Sequence, residues 1–127
     1  MADINDNPVD LFDMHVAHVG INAATDEEAE QIVGLFQTLM GLPRKVTAPI
    51  SVFAGSFVEV MRPGSVRGEK GHIGFYVNDI PAAIKWFEKR GFEVNPEAKA
   101  LNPDGSIHLI YFKQQIAGFA IHLTCDK

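Results

Sequence analysis

Hydrophobic and polar positions along the chain fall into two rounds of one pattern. His15 to Asn22 has the alternation of a strand, and Thr25-Asp26-Glu27-Glu28 follows as a capping box with Thr25 at the N-cap. A helix is predicted from about Asp26 to Met40, because Ala29, Ile32, Val33, Phe36, Leu39 and Met40 recur at three- and four-residue steps. Gly41 suits the left-handed position after the last turn, and Pro43 blocks continuation. Strand-like pieces follow at Lys45 to Val46, Ser51 to Phe53 and Phe57 to Met61.

The stretch from Arg62 to Gly71 has the composition of a connector, after which the order repeats. His72 to Val77 reads as a strand, Asn78 or Asp79 as a cap, and Pro81 as a first-turn residue of a second helix. Ile80, Ala83, Ile84 and Phe87 form its stripe and Gly91 ends it. Strands are predicted near Phe92 to Val94, at Ser106 to Lys113 and at Phe119 to Thr124, with Asn102-Pro103-Asp104-Gly105 as a hairpin turn. The expected organisation is an acidic N-terminal tail over 1–13 and one domain over 14–127. Within that domain, module 1 spans 14–63, the connector 62–71 and module 2 72–127.

Alternate residues of a strand face opposite sides of its sheet, which sorts each strand into two faces. Val19 and Ile21 oppose His18, Gly20 and Asn22, while Ile73, Phe75 and Val77 oppose His72, Gly74 and Tyr76. Val58 and Val60 oppose Glu59, and Ile121 and Leu123 oppose His122. The oily faces call for cover by the two amphipathic helices. The other faces would line a cavity containing His18, Glu59, His72 and His122, a set of three imidazoles and one carboxylate suited to one divalent transition metal: zinc, iron, nickel, manganese or cobalt. Glu59, the carboxylate of the set, is the candidate for proton transfer. Asn22 and Tyr76 on the same faces are candidates for holding a substrate oxygen, whereas His15 falls on the helix-facing side.

Composition narrows the function classes. The 127 residues are too few for two cores of ordinary size, and 46% apolar with 21% charged residues argues for a packed globular chain. Eleven Lys and Arg against 16 Asp and Glu leave a net charge of −5, which disfavours nucleic acid as a partner. No apolar stretch approaches a membrane span, and the polar, acidic start from Met1 to Pro8 is unlike a secretory signal. One cysteine, Cys125, fits a reducing compartment, so the cytoplasm is expected. A small-molecule substrate is the expected partner.

His18-Val19-Gly20-Ile21, Phe57-Val58-Glu59-Val60, His72-Ile73-Gly74-Phe75 and Ala120-Ile121-His122-Leu123 together resemble the vicinal oxygen chelate superfamily. That superfamily includes glyoxalase I, bleomycin and fosfomycin resistance proteins and extradiol dioxygenases, and the resemblance covers His15 to Thr124. The segments Ser51 to Met61 and Gly118 to Leu123 are also similar to small domains joined to aldolases of 2-keto-3-deoxy sugar acids. The resemblance implies an α+β fold of two βαβββ modules, with mixed sheets curled around a metal-bearing cavity, and a homodimer. It places His18, Glu59, His72 and His122 at the four ligand positions, although the last position more often carries Glu. It implies a metal-dependent lyase, isomerase or epimerase acting on a small oxygen-rich metabolite through a metal-stabilised oxyanion, with ring-opening oxygenation as a variant. The alternative is a non-catalytic small-molecule binding or accessory domain.

Overall fold

A computed structural model describes residues 7–127. Among these the fold is mixed α+β. Its elements are α1 (Pro8–Phe12), β1 (His15–Asn22), α2 (Asp26–Met40), β2 (Arg44–Lys45), β3 (Ser51–Ala54), β4 (Val58–Met61), β5 (Gly71–Tyr76), α3 (Ile80–Glu88), β6 (Val94–Leu101), β7 (Ile107–Ile116) and β8 (Phe119–Thr124). The predicted order of strand, helix and three strands therefore occurs twice. Contacts divide the chain into two compact units. One comprises His18–Ile73 and Ala117–Ala120, and the other comprises the described residues before His18 together with Gly74–Ile116 and Ile121–Lys127.

In the unit built on His18–Ile73 the strand order is β2-β3-β4-β1-β5. β1 runs parallel to β4 with Gly20 opposite Glu59, and β3 is antiparallel to β4 with Phe53 opposite Glu59. This register puts His18, Gly20, Ser51, Phe53 and Glu59 on one face, and Val19, Ile21, Val52, Ala54, Val58 and Val60 on the other. The second face is the core, where Val52, Ala54, Val58 and Val60 pack with Ala29 and Val33 of α2.

Helix α2 begins where the capping box predicts, since Thr25 Oγ1 accepts from the Glu28 amide at 3.0 Å and Glu28 Oε1 accepts from the Ala24 amide at 3.0 Å. It ends at Gly41, whose φ of 70° is open to glycine and strained for most other residues. The buried stripe is shorter than the sequence suggests, because Leu39 is 76% exposed and Met40 is half exposed. After the left-handed turn at Gly41 the chain reverses, and Leu42 fills the end of this core in their place.

In the other unit the order is β5-β8-β7-β6. Asp79, rather than Asn78, caps α3, its side chain accepting from the Ala82 amide at 3.0 Å. β6 is longer than expected and runs past Pro96. It lies at the end of the strand order, and its register against β7 slips between Val94 and Lys99, so the missing proline N–H costs no regular ladder bond. Asn102 and Gly105 close the predicted turn, with the Gly105 amide donating to the Asn102 carbonyl at 2.9 Å.

The acidic N-terminal segment is not uniformly a tail. Pro8–Phe12 forms a helix capped by Asn7, and Phe12 is buried edge-on against Trp86, with centroids 6.4 Å apart. The rest of that expected tail, residues 1–6, lies outside the described residues. Trp86 is half-buried, with its ring also covered by the Arg90 guanidinium at 3.6 Å. No helix among the described residues is long and apolar enough to cross a membrane.

Candidate metal centre

Strand register brings three of the four predicted ligands together within one unit. His18 Nε2 and His72 Nε2 are 3.2 Å apart, His72 Nε2 is 3.0 Å from Glu59 Oε1, and His18 Nε2 is 3.6 Å from the same oxygen. Ligands at about 2.1 Å from one ion stand about 3.0 Å apart in an octahedral arrangement and about 3.4 Å in a tetrahedral one. The three atoms therefore have the spacing of one face of a coordination polyhedron. Two imidazoles and a carboxylate are also the chemistry of a borderline transition-metal site.

Each side chain is held in place. Gly20 sits directly beneath the His72 ring, where a Cβ would collide with the imidazole atoms. Ser51, opposite Met61 and hence a diagonal neighbour of Glu59 on the same face, donates its hydroxyl to Glu59 Oε2 at 2.7 Å. This bond turns Oε1 toward the two imidazoles. Phe53 meets the His18 ring edge-on at 6.2 Å.

Glu59 is mostly enclosed, and its side chain is 14% exposed. Burial pushes its pKa up, yet the hydrogen bonds from His72 and Ser51 and the charges of His72 and His18 outweigh burial and leave it below the ordinary 4.5. The carboxylate is thus kept ionised, as a ligand must be. Ser51 was not singled out in the sequence, although the alternation from Ser51 through Phe53 to Glu59 across the Gly55 turn carries the signal.

His122 belongs to the other unit. It is buried on β8, with its ring tilted against Tyr111 at 4.8 Å and its Nδ1 3.3 Å from the Leu123 carbonyl oxygen. Tyr76 is half-buried and pairs with the exposed His15 ring at 4.9 Å, so His15 is not covered by a helix.

The Asn22 side chain is bonded to the connector. Its Nδ2 donates to the carbonyls of Gly68 at 3.0 Å and Arg67 at 3.3 Å, and its Oδ1 accepts from the Arg67 amide at 3.2 Å. The side chain pins the connector to β1. Arg62, at the start of the connector, reaches Asp26 and Glu30 of α2 at 3.3 and 3.4 Å. A recess of about 400 Å³ lies in the other unit, bordered by Val77, Asp79, Pro81, Asn102, Ser106 and Cys125, and includes none of the four predicted ligands.

No protein-family model matches the chain, and no curated protein sequence matches it. Solved structures do. A Streptomyces coelicolor methylmalonyl-CoA epimerase, a substituted form in complex with 2-nitronate-propionyl-CoA, matches with a TM-score of 0.57 at 15% identity, over 86% of this chain and 92% of that one. The methylmalonyl-CoA epimerase of Mycobacterium tuberculosis matches with a TM-score of 0.57 at 17% identity, over 86% and 85% of the two chains. A hypothetical protein from Bacillus halodurans gives 0.57 at 12% identity, over 87% and 93%. At these identities the likeness shows the fold alone, which this chain shares with those epimerases.

Proposed function

We propose that the chain is a metal-dependent enzyme that moves a proton beside a carbonyl in a small oxygen-rich metabolite, a reaction of the epimerase or isomerase class. The observation that carries this reading is the convergence of His18 Nε2, His72 Nε2 and Glu59 Oε1 at 3.0 to 3.6 Å. His122, which stands in the second round where Glu59 stands in the first, is the fourth ligand in this reading. When bound, a divalent ion of the zinc, iron, nickel, manganese or cobalt group would supply Lewis-acid stabilisation of an oxyanion.

The chain's own residues supply the rest. His18 and His72 present their Nε2 atoms as ligands, and Glu59, ionised and aimed by Ser51, offers one oxygen as ligand and as proton acceptor. Tyr76 offers a hydroxyl for a substrate oxygen. The epimerases with the same fold support the reaction class. Residence in the cytoplasm and a homodimer belong to this reading, resting on the single cysteine and on the family resemblance.

The test begins with metal analysis of protein purified without an affinity tag, followed by titration with each of the five ions. The metal-loaded protein is then incubated in deuterium oxide with methylmalonyl-CoA, keto acids and hemithioacetals, and solvent deuterium entering the carbon beside the carbonyl is followed by NMR. Metal uptake with exchange on at least one of these is expected. Absence of uptake overturns the metal centre, and uptake without exchange on any of them overturns the enzyme in favour of a binding module.

A further inference from the structure

A second cluster of donors lies wholly within the unit that carries β7 and most of β8. The Cys125 amide donates to the His108 carbonyl at 3.0 Å, so the two residues are neighbours across adjacent strands and their side chains meet, with Sγ 3.5 Å from His108 Nδ1. On the other side of the ring, Nε2 is 2.8 Å from Asp126 Oδ2. Candidate ligand atoms of His108, Cys125 and Asp126 all fall within 4.8 Å of one another.

The hydrogen-bond directions around His108 follow from the groups that can only accept. The Asp104 carboxyl is held below its ordinary value, chiefly by the Ser106 hydroxyl, so it accepts and the Ser106 hydroxyl donates to it at 2.6 Å. With its hydrogen committed, Ser106 Oγ accepts from Asn102 Nδ2 at 2.9 Å. The Asn102 amide is thereby oriented with its oxygen toward His108 Nδ1, 2.8 Å away. Asp126 takes the hydrogen on Nε2. Nδ1 then faces an amide oxygen and a sulfur, two electron-rich atoms, and an electrophile between them satisfies all three.

We infer that Cys125 Sγ, His108 Nδ1 and Asn102 Oδ1 form a second metal site, selective for thiophilic divalent ions such as zinc, with Asp126 fixing the histidine from behind. Bonds of about 2.3 Å to sulfur and about 2.05 Å to nitrogen at a tetrahedral angle separate the two atoms by about 3.5 Å. The sulfur and Nδ1 stand at that separation already, while Asn102 Oδ1, 2.8 Å from Nδ1, has to draw back by about half an ångström to reach the tetrahedral spacing. A carboxylate on the far nitrogen is the usual support of a metal-bound histidine. Cys125 and Asn102 also border the 400 Å³ recess, which gives an ion and its remaining water ligands access. On binding, the Cys125 thiol releases its proton to solvent and the thiolate donates an electron pair to the ion.

Cobalt(II) is the probe, added to reduced full-length protein under anaerobic conditions. Thiolate binding produces a sulfur-to-cobalt charge-transfer absorption in the near ultraviolet that imidazole and carboxylate ligands do not give. The band is expected in the unsubstituted protein and in a His72→Ala, Glu59→Gln double variant, and it should bleach on addition of zinc. Cys125→Ser should abolish it, and Asp126→Asn should weaken cobalt affinity about tenfold or more with the band retained at saturation. The absence of a charge-transfer band in unsubstituted protein overturns the site, as does a band that survives Cys125→Ser. Circular dichroism of each variant checks that the fold is retained.

Discussion

The imidazole of His72 lies over the bare Cα of Gly20, in the space that any side chain at position 20 would need. Gly20 in turn stands opposite Glu59 in the parallel pairing of β1 with β4. One missing Cβ thus lets a histidine on β5 reach a carboxylate two strands away. Gly20→Ala should displace the His72 ring and lower metal affinity at least about tenfold while leaving the far-ultraviolet circular dichroism unchanged. Unchanged affinity in this variant, measured by titration, would show that the ring has another place to sit.

His72→Ala and Glu59→Gln each remove one of the three converging donors. Each variant should lose the metal and the proton exchange together. Retention of full metal content by both, on elemental analysis, would refute the ligand assignment.

Ser51 touches no metal in this arrangement, yet it holds Glu59 Oε2 at 2.7 Å. Ser51→Ala should weaken metal binding about tenfold to a hundredfold through loss of that support. Ser51→Thr, which keeps the hydroxyl, should restore most of it. If Ser51→Ala binds metal as tightly as the unsubstituted chain, the hydroxyl does not orient the carboxylate.

Acid should destabilise the metal-free protein through Glu59. Its folded-state pKa is depressed, so the ionised carboxylate contributes stability above its unfolded value, and that contribution is lost as pH falls through the lower folded value. Denaturant unfolding measured downward from about pH 6 should therefore show a decline that sets in below about 4.5, with a shallower slope in Glu59→Gln. Equal slopes for the two proteins would remove Glu59 from the account.

Thr25→Ala tests the helix cap in isolation from the metal. Loss of the bond from the Glu28 amide should cost about 1 kcal/mol of unfolding free energy, with metal affinity unchanged.

Much of the fold was legible because its signals are local. The capping box at Thr25 and the stop at Gly41 predicted α2 to the residue, and strand alternation separated Val58 and Val60 from Glu59. Where the outcome depended on what an element packs against, the pattern misled. Leu39 and Met40 continue the helical period but lie past the surface that α2 covers. The strand expected near Phe92 to Val94 instead runs from Val94 to Leu101, because an edge with slipped register accommodates Pro96. Asn22 lies on the predicted face, yet the connector takes up its amide. His108 had no readable facing, because apolar residues flank it on both parities.

By itself the sequence determined the two rounds of elements, the caps that bound the helices and the face on which His18 and Glu59 lie, since period and capping involve residues a few positions apart. Tertiary structure alone decided that three donor atoms approach within 3.0 to 3.6 Å, that Ser51 aims the carboxylate, and that Cys125 meets His108. Those outcomes depend on strand register, and a shift of one residue would turn every one of these side chains to the opposite face.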